Sequence, residues 1–141
     1  MIKKIAVVWI AFCAGLVGGT LAATPVIAVM NFQATDGPYF PAPLVAFVLL
    51  ALPISIMLFP IQILVLVYEA AAGRSLNNKL LILGLIAGLA AGSLWCNMLT
   101  PSTIIDPWML AALCGLGFLQ AELVFGCHWL ACKSNFLDCK D

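Results

Sequence analysis

Charge is what this chain has least of. Asp, Glu, Lys and Arg make up 9% of its 141 residues, and hydrophobic residues 65%. A soluble domain carries roughly 25% charged residues. A water-facing globular surface is therefore excluded, and the mean hydropathy of +1.16 points to lipid. Six basic and six acidic residues cancel, which leaves no cationic face for nucleic acid. Catalytic signatures are also missing. There is one histidine and no Cys-x-x-Cys pair, so no zinc-type or dithiol motif is present. No Gly-x-Ser-x-Gly, phosphate-cradling loop or nucleophile–base set occurs.

The apolar residues fall in four runs, Ile5–Met30, Leu44–Tyr68, Leu80–Leu99 and Pro107–Ala131. Each has roughly 20 residues or more, enough for a helix to cross about 30 Å of hydrocarbon. Lys3 and Lys4 precede the first run. Arg74 and Lys79 separate the second and third, and Lys133 and Lys140 follow the fourth. The other two connections hold no Lys or Arg. By the positive-inside rule both termini are cytoplasmic, and we read the membrane as a bacterial inner membrane. Trp9, Tyr68 and Trp129 near one surface, and Tyr39, Trp95 and Trp108 near the other, match an aromatic belt. The expected fold is a single all-α domain over residues 1–141, a four-helix antiparallel transmembrane bundle with short connections. A competing reading of the N-terminus is a signal peptide cleaved near Thr20-Leu21-Ala22. The apolar run that continues through Met30 opposes it.

Turn formers mark the connections. Asp36-Gly37-Pro38 predicts a sharp turn, Pro41 and Pro43 suit a helix start, and Asp106-Pro107 reads as an N-cap followed by a first-turn proline. Pro53 and Pro60 lie inside the second run. Each removes an N–H and frees the carbonyl four residues earlier, at Leu49 and Ile56. Lipid offers those carbonyls nothing; Ser55 and Gln62 are the nearby candidates to satisfy them. The two prolines make this run either a kinked packed helix or a hinge.

Small residues predict close helix packing. The third run carries Gly84, Gly88 and Gly92. The first carries Gly15 and Gly19 beside Gly18, Ala11 and Ala22. The fourth carries Ala111, Gly115 and Gly126. These stripes serve either one bundle or a second protein.

Ser55, Gln62 and Glu69 are seven apart on one helix face. Gln120 and Glu122 lie in the fourth run, and His128 shares the inner end with Glu69. At about 1.5 Å per residue, Gln62 lies about 7 Å and Glu122 about 4 Å inward of their span centres. The two are expected to meet if runs two and four adjoin. Glu122 is the one acidic residue deep in a span, where a charge costs about 2.5–3.5 kcal/mol. It is expected to face the bundle interior, along the stripe Gly115, Leu119 and Gly126. There it serves as a neutral tie between helices, or it binds a proton, a cation or a partner's basic residue.

The six cysteines, Cys13, Cys96, Cys114, Cys127, Cys132 and Cys139, mostly lie in spans or on the reducing side, so no disulfide framework is expected. Cys127, His128, Cys132 and Cys139 form a poor soft-metal set, and no metal or cofactor is implied. We therefore expect a non-enzymatic small membrane protein: a subunit, assembly factor or protective partner, in contact with lipid and with another membrane protein or its own copies. The alternative is a small oligomeric transporter or channel with a polar path through Glu122 and Gln62. A membrane thiol enzyme is a lesser alternative, since only Cys96 nears the outer face.

Overall fold

The computed structural model describes residues 2–33, 41–72, 76, 79–99 and 106–134. The Asp36-Gly37-Pro38 turn, Arg74, Cys139 and Lys140 lie outside the described residues. Among these residues there is no strand. Four helices are long and apolar enough to cross a membrane: α1 (Ile2–Gln33), α2 (Ala42–Ala72), α3 (Leu80–Leu99) and α4 (Pro107–Lys133). They contain the four apolar runs and overshoot most ends by a turn or less. The protein is thus an all-α integral membrane protein.

The helix starts follow the local chemistry. Pro41 caps α2, and its carbonyl accepts the N–H groups of Leu44 and Val45 at 2.9 and 3.2 Å. Asp106 caps α4 and accepts the Trp108 N–H at 3.0 Å, with Pro107 in the first turn. A proline there forfeits no helical bond.

Cross-helix neighbours give the directions. Gly84 faces Phe125, Gly88 faces Gly117, and Gly92 faces Leu113, so α3 and α4 run antiparallel. Gly15 faces Val124, Gly19 faces Gln120, and Val7 clusters with Cys132, so α1 also opposes α4. The N-terminal part of α2 and the C-terminal part of α3 meet where Trp95 reaches Leu49. Each helix packs on its sequence neighbours, and α4 closes the ring onto α1. The most extensive packing is α3 on α4, followed by α1 on α2 and α1 on α4. The N-terminal end of α1 and the C-terminal end of α4 therefore lie side by side.

Prolines shape α2 in a way the sequence foretold only in part. Ahead of Pro53, residues Ala46–Ala51 form a wide π-helical segment, and the Leu52 N–H returns to Phe47 O. Such single wide turns interrupt α-helices where the ladder is disturbed. Leu49 O, the carbonyl that Pro53 cannot serve, accepts the indole N–H of Trp95 at 2.8 Å. Ala51 O accepts the Gln120 side-chain amide at 3.2 Å. The partners come from α3 and α4, not from Ser55 or Gln62 as the sequence suggested. A serine hydroxyl reaches the carbonyl three or four residues back, and Ser55 is six beyond Leu49. Pro60 lies inside an unbroken α-helical stretch, Leu52–Ala72.

The glycine ladder of α3 is spent inside the bundle. A Cβ on Gly88 would sit 2.5 Å from Gly117 O and 2.8 Å from the Phe118 Cα. On Gly92 it would sit 2.7 Å from the Cys114 Cα. The two backbones touch, which is what small residues permit between membrane helices. On α1, Gly15 and Gly19 instead make room for the side chains of Val124 and Gln120. Gly115 and Gly126 do neither: nothing among the described residues comes within 4 Å of a Cβ built on either. Gly115 borders a cavity whose other walls include Ala22 and Val26 of α1 and Leu50 of α2.

Candidate functional site

The interior of the bundle holds a polar column. Ser55, Gln62 and Glu69 all face inward from α2, with 1%, 2% and 7% of their surface exposed. Their spacing of seven holds one face of the helix, as expected. From α4 the inward polar residues are Gln120 and His128, which are 0% and 1% exposed.

Glu122 is not among them. The buried face of α4 runs through Leu113, Leu116, Gly117, Gln120, Ala121, Val124, Phe125, His128 and Cys132. Gly115 and Leu119 are exposed, and Glu122 and Gly126 are only partly covered. The expected interior placement of Glu122 is therefore corrected, and so is its expected meeting with Gln62. The physical reason is helical phase. Gly117, not Gly115 or Gly126, supplies the close approach to α3, and it turns Gln120 inward and Glu122 outward. Glu122 Oε1 lies 3.3 Å from where a Gly84 Cβ would stand. Its carboxyl thus rests at the seam of α3 and α4, with no hydrogen-bond partner among the described residues.

Two polar residues of α4 are paired. Gln120 Nε2 donates to Ala51 O at 3.2 Å, and α1 makes room for it, because any side chain at Gly19 would collide with the Gln120 amide. At the end of the bundle that holds Lys3, Lys79 and Lys133, His128 Nε2 lies 3.1 Å from Glu69 Oε2, with both side chains at most 5% exposed. Glu69 Oε1 accepts the Leu76 N–H at 3.0 Å. One carboxyl thus ties α2 to α4 and to the connection entering α3. Tyr68, placed at this end by the sequence, is exposed.

Other polar atoms lack protein partners. Ser55 Oγ, both polar atoms of Gln62 and Gln120 Oε1 are buried without a hydrogen bond among the described residues. Ser55 Oγ lies 3.8 Å and Gln120 O 3.7 Å from the Gly15 Cβ position. The Ser55–Gln120 level of the column therefore spans α1, α2 and α4.

The cysteines do not form a site. Cys13, Cys96, Cys114 and Cys127 are not in disulfides, whereas Cys132 is disulfide-bonded. The expectation that no cysteine pairs is thus corrected at Cys132. It rested on compartment chemistry, which says nothing of whether two sulfurs meet. An oxidised Cys132 is also no thiolate ligand beside Cys127 and His128. Among the described residues no group of three His, Cys, Asp or Glu side chains could hold a metal ion.

Sequence reasoning missed Gly117 and the Trp95–Leu49 bond. A signal existed for the first: Gly117, Gln120, Val124 and His128 follow helical spacing. No protein-family model, curated protein or solved structure matches this chain. Function must be argued from the site itself.

Proposed function

We propose that the chain is a non-enzymatic membrane subunit, assembly factor or protective partner, and that it binds another integral membrane protein along the outward face of α4. The observation that carries this is the outward turn of Glu122. An ionisable side chain within a span is costly and marks function by default. Here it lies on an open face beside two glycines, Gly115 and Gly126, that nothing in the bundle fills. Small residues with open space above them suit the backbone of another helix. The described basic residues Lys3, Lys4, Lys79 and Lys133 gather at one end of the bundle. That supports cytoplasmic termini in a bacterial inner membrane.

Replacing Gly115 and Gly126 by leucine tests the face. Neither new side chain meets a neighbour at its Cβ, so the isolated chain is expected to keep its helicity and its unfolding midpoint in detergent. Copurification of a native partner from gently solubilised membranes is expected to fall at least tenfold. Undiminished recovery with both leucines in place would remove this face from the function.

A second reading, a small transporter, is favoured by the unpartnered Ser55, Gln62 and Gln120 atoms above the Glu69–His128 pair. The Gln62→Leu variant separates the two readings. A buried amide without partners costs about 1–3 kcal/mol. If the column is structural, leucine is expected to raise stability by that order, measured by unfolding in bicelles. A loss of stability together with lost solute flux in vesicles would favour the polar path.

A further inference from the structure

We infer that the open face of α4 receives a transmembrane helix of a different protein, one that carries a lysine or arginine at mid-membrane depth to pair with Glu122. This rests on the docking reading above and names the chemistry of its partner.

Three observations converge. First, Glu122 has no hydrogen bond or ion pair among the described residues, although its carboxyl is held at a defined place over Gly84. Second, no described cation of this chain reaches it. At about 1.5 Å per residue, Glu122 stands roughly 16 Å along the axis from Lys133 and roughly 22 Å from Pro107. Lys3, Lys4 and Lys79 share the Lys133 end, and Arg74 and Lys140 lie beyond the apolar runs in sequence. Third, the face is built for approach, because Gly115 and Gly126 flank Glu122 within two turns on either side.

The second observation also decides against self-association. Copies of one chain share one orientation in a bilayer, so their described basic residues sit at the same end. A dimer through α4 would bring Glu122 to Glu122, or to apolar residues, and leave both carboxyls unpaired. The magnitudes then favour a cation over a neutral donor. A charge at the span centre costs about 2.5–3.5 kcal/mol, whereas a hydrogen bond between membrane helices averages about 0.6 kcal/mol. A neutral donor leaves most of that cost standing. An opposite charge in low dielectric offsets it on both helices.

The test uses the full chain, fluorescently labelled and reconstituted in phosphatidylcholine vesicles with synthetic leucine-rich transmembrane helices. The helices differ only at their central residue: arginine, asparagine or leucine. Energy transfer is expected to show the arginine helix associating at least tenfold more tightly than the leucine helix, and Glu122→Gln is expected to abolish that preference. Circular dichroism and thermal melts check that the Glu122→Gln chain is folded. Equal association of all three helices would overturn the inference. So would an asparagine helix that binds as tightly as the arginine one, or a preference that survives Glu122→Gln. Glu122-dependent transfer between copies of the chain, without any added helix, would replace the foreign partner with a homo-oligomer. Should the Gly115 and Gly126 leucine variants lose a native partner while Glu122→Gln retains it, docking stands and the charge pairing falls.

Discussion

Gly88→Leu is expected to unseat α3 from α4. The Cβ alone would lie 2.5 Å from Gly117 O and 2.8 Å from the Gly117 carbonyl carbon and the Phe118 Cα. These atoms are backbone and cannot rotate aside. Overpacking a tight interior costs about 1–3 kcal/mol where side chains can adjust. Here two helices must move apart along the largest interface in the bundle, so the leucine variant is expected to exceed that range and Gly88→Ala to fall within it. Between membrane helices, close packing supplies much of the association, because lipid is as apolar as leucine. The separation is thus not offset by a hydrophobic gain. Unfolding under steric trapping or in mixed detergent checks it, with Gly126→Ala as the matched control. The control is expected to leave the midpoint unchanged, since nothing meets its new methyl. If Gly88→Leu unfolds at the wild-type midpoint, α3 and α4 are not in backbone contact.

His128→Leu is the second large effect. The imidazole is 1% exposed and lies 3.1 Å from Glu69 Oε2. Removing one member of a buried pair costs about 3–5 kcal/mol. The Leu76 N–H stays on Glu69 Oε1, so the lower part of that range is expected. The Gln120–Ala51 bond gives the comparison. It is neutral on both sides, and bonds of that kind average about 0.6 kcal/mol in membranes. Gln120→Leu is accordingly expected to be much milder than His128→Leu. Adding Glu69→Leu to His128→Leu is expected to recover part of the loss, because apolar replacement of a whole buried pair is often neutral or stabilising. A double-mutant cycle over the two sites isolates the coupling. A coupling near zero would mean that Glu69 is held by its other contacts and that His128 acts through packing alone.

Much of this fold is written in the sequence, because lipid imposes a coarse rule that composition can express. Twenty apolar residues make a span, and the four helices contain the four runs. Asp106-Pro107 and Pro41 open their helices as the chemistry of caps requires. Side-chain phase is the part that stays hidden. In a soluble protein the polar face of a helix shows which side is out. Here leucine, valine and isoleucine occupy both sides, for lipid outside and packing inside, so α4 carries almost no periodic signal. Small residues were the remaining guide, and they admit two meanings. Gly117 and Gly115 are two positions apart, hence on nearly opposite faces; one touches Gly88 and the other touches nothing. That difference turned Glu122 from an interior residue into an outward one. Glu69 and His128 were legible because both sit near the same end of adjoining helices. The Trp95 bond was not, since it depends on a wide turn that no single residue announces.

The wide turn of α2 makes it two helices with independent rotational settings on a shared axis. An α-helix advances about 100° per residue, and Ala46–Ala51 accommodates one residue more than an α-helical turn would. The Ser55–Gln62–Glu69 column lies on the C-terminal side of that segment, and Pro41 to Val45 on the N-terminal side. Loss of a single residue between them would leave the column aligned while swinging the N-terminal end of α2 through a quarter turn or more. Sequence length in this one stretch is therefore an angular setting, which fixes whether Leu49 O faces Trp95 or lipid.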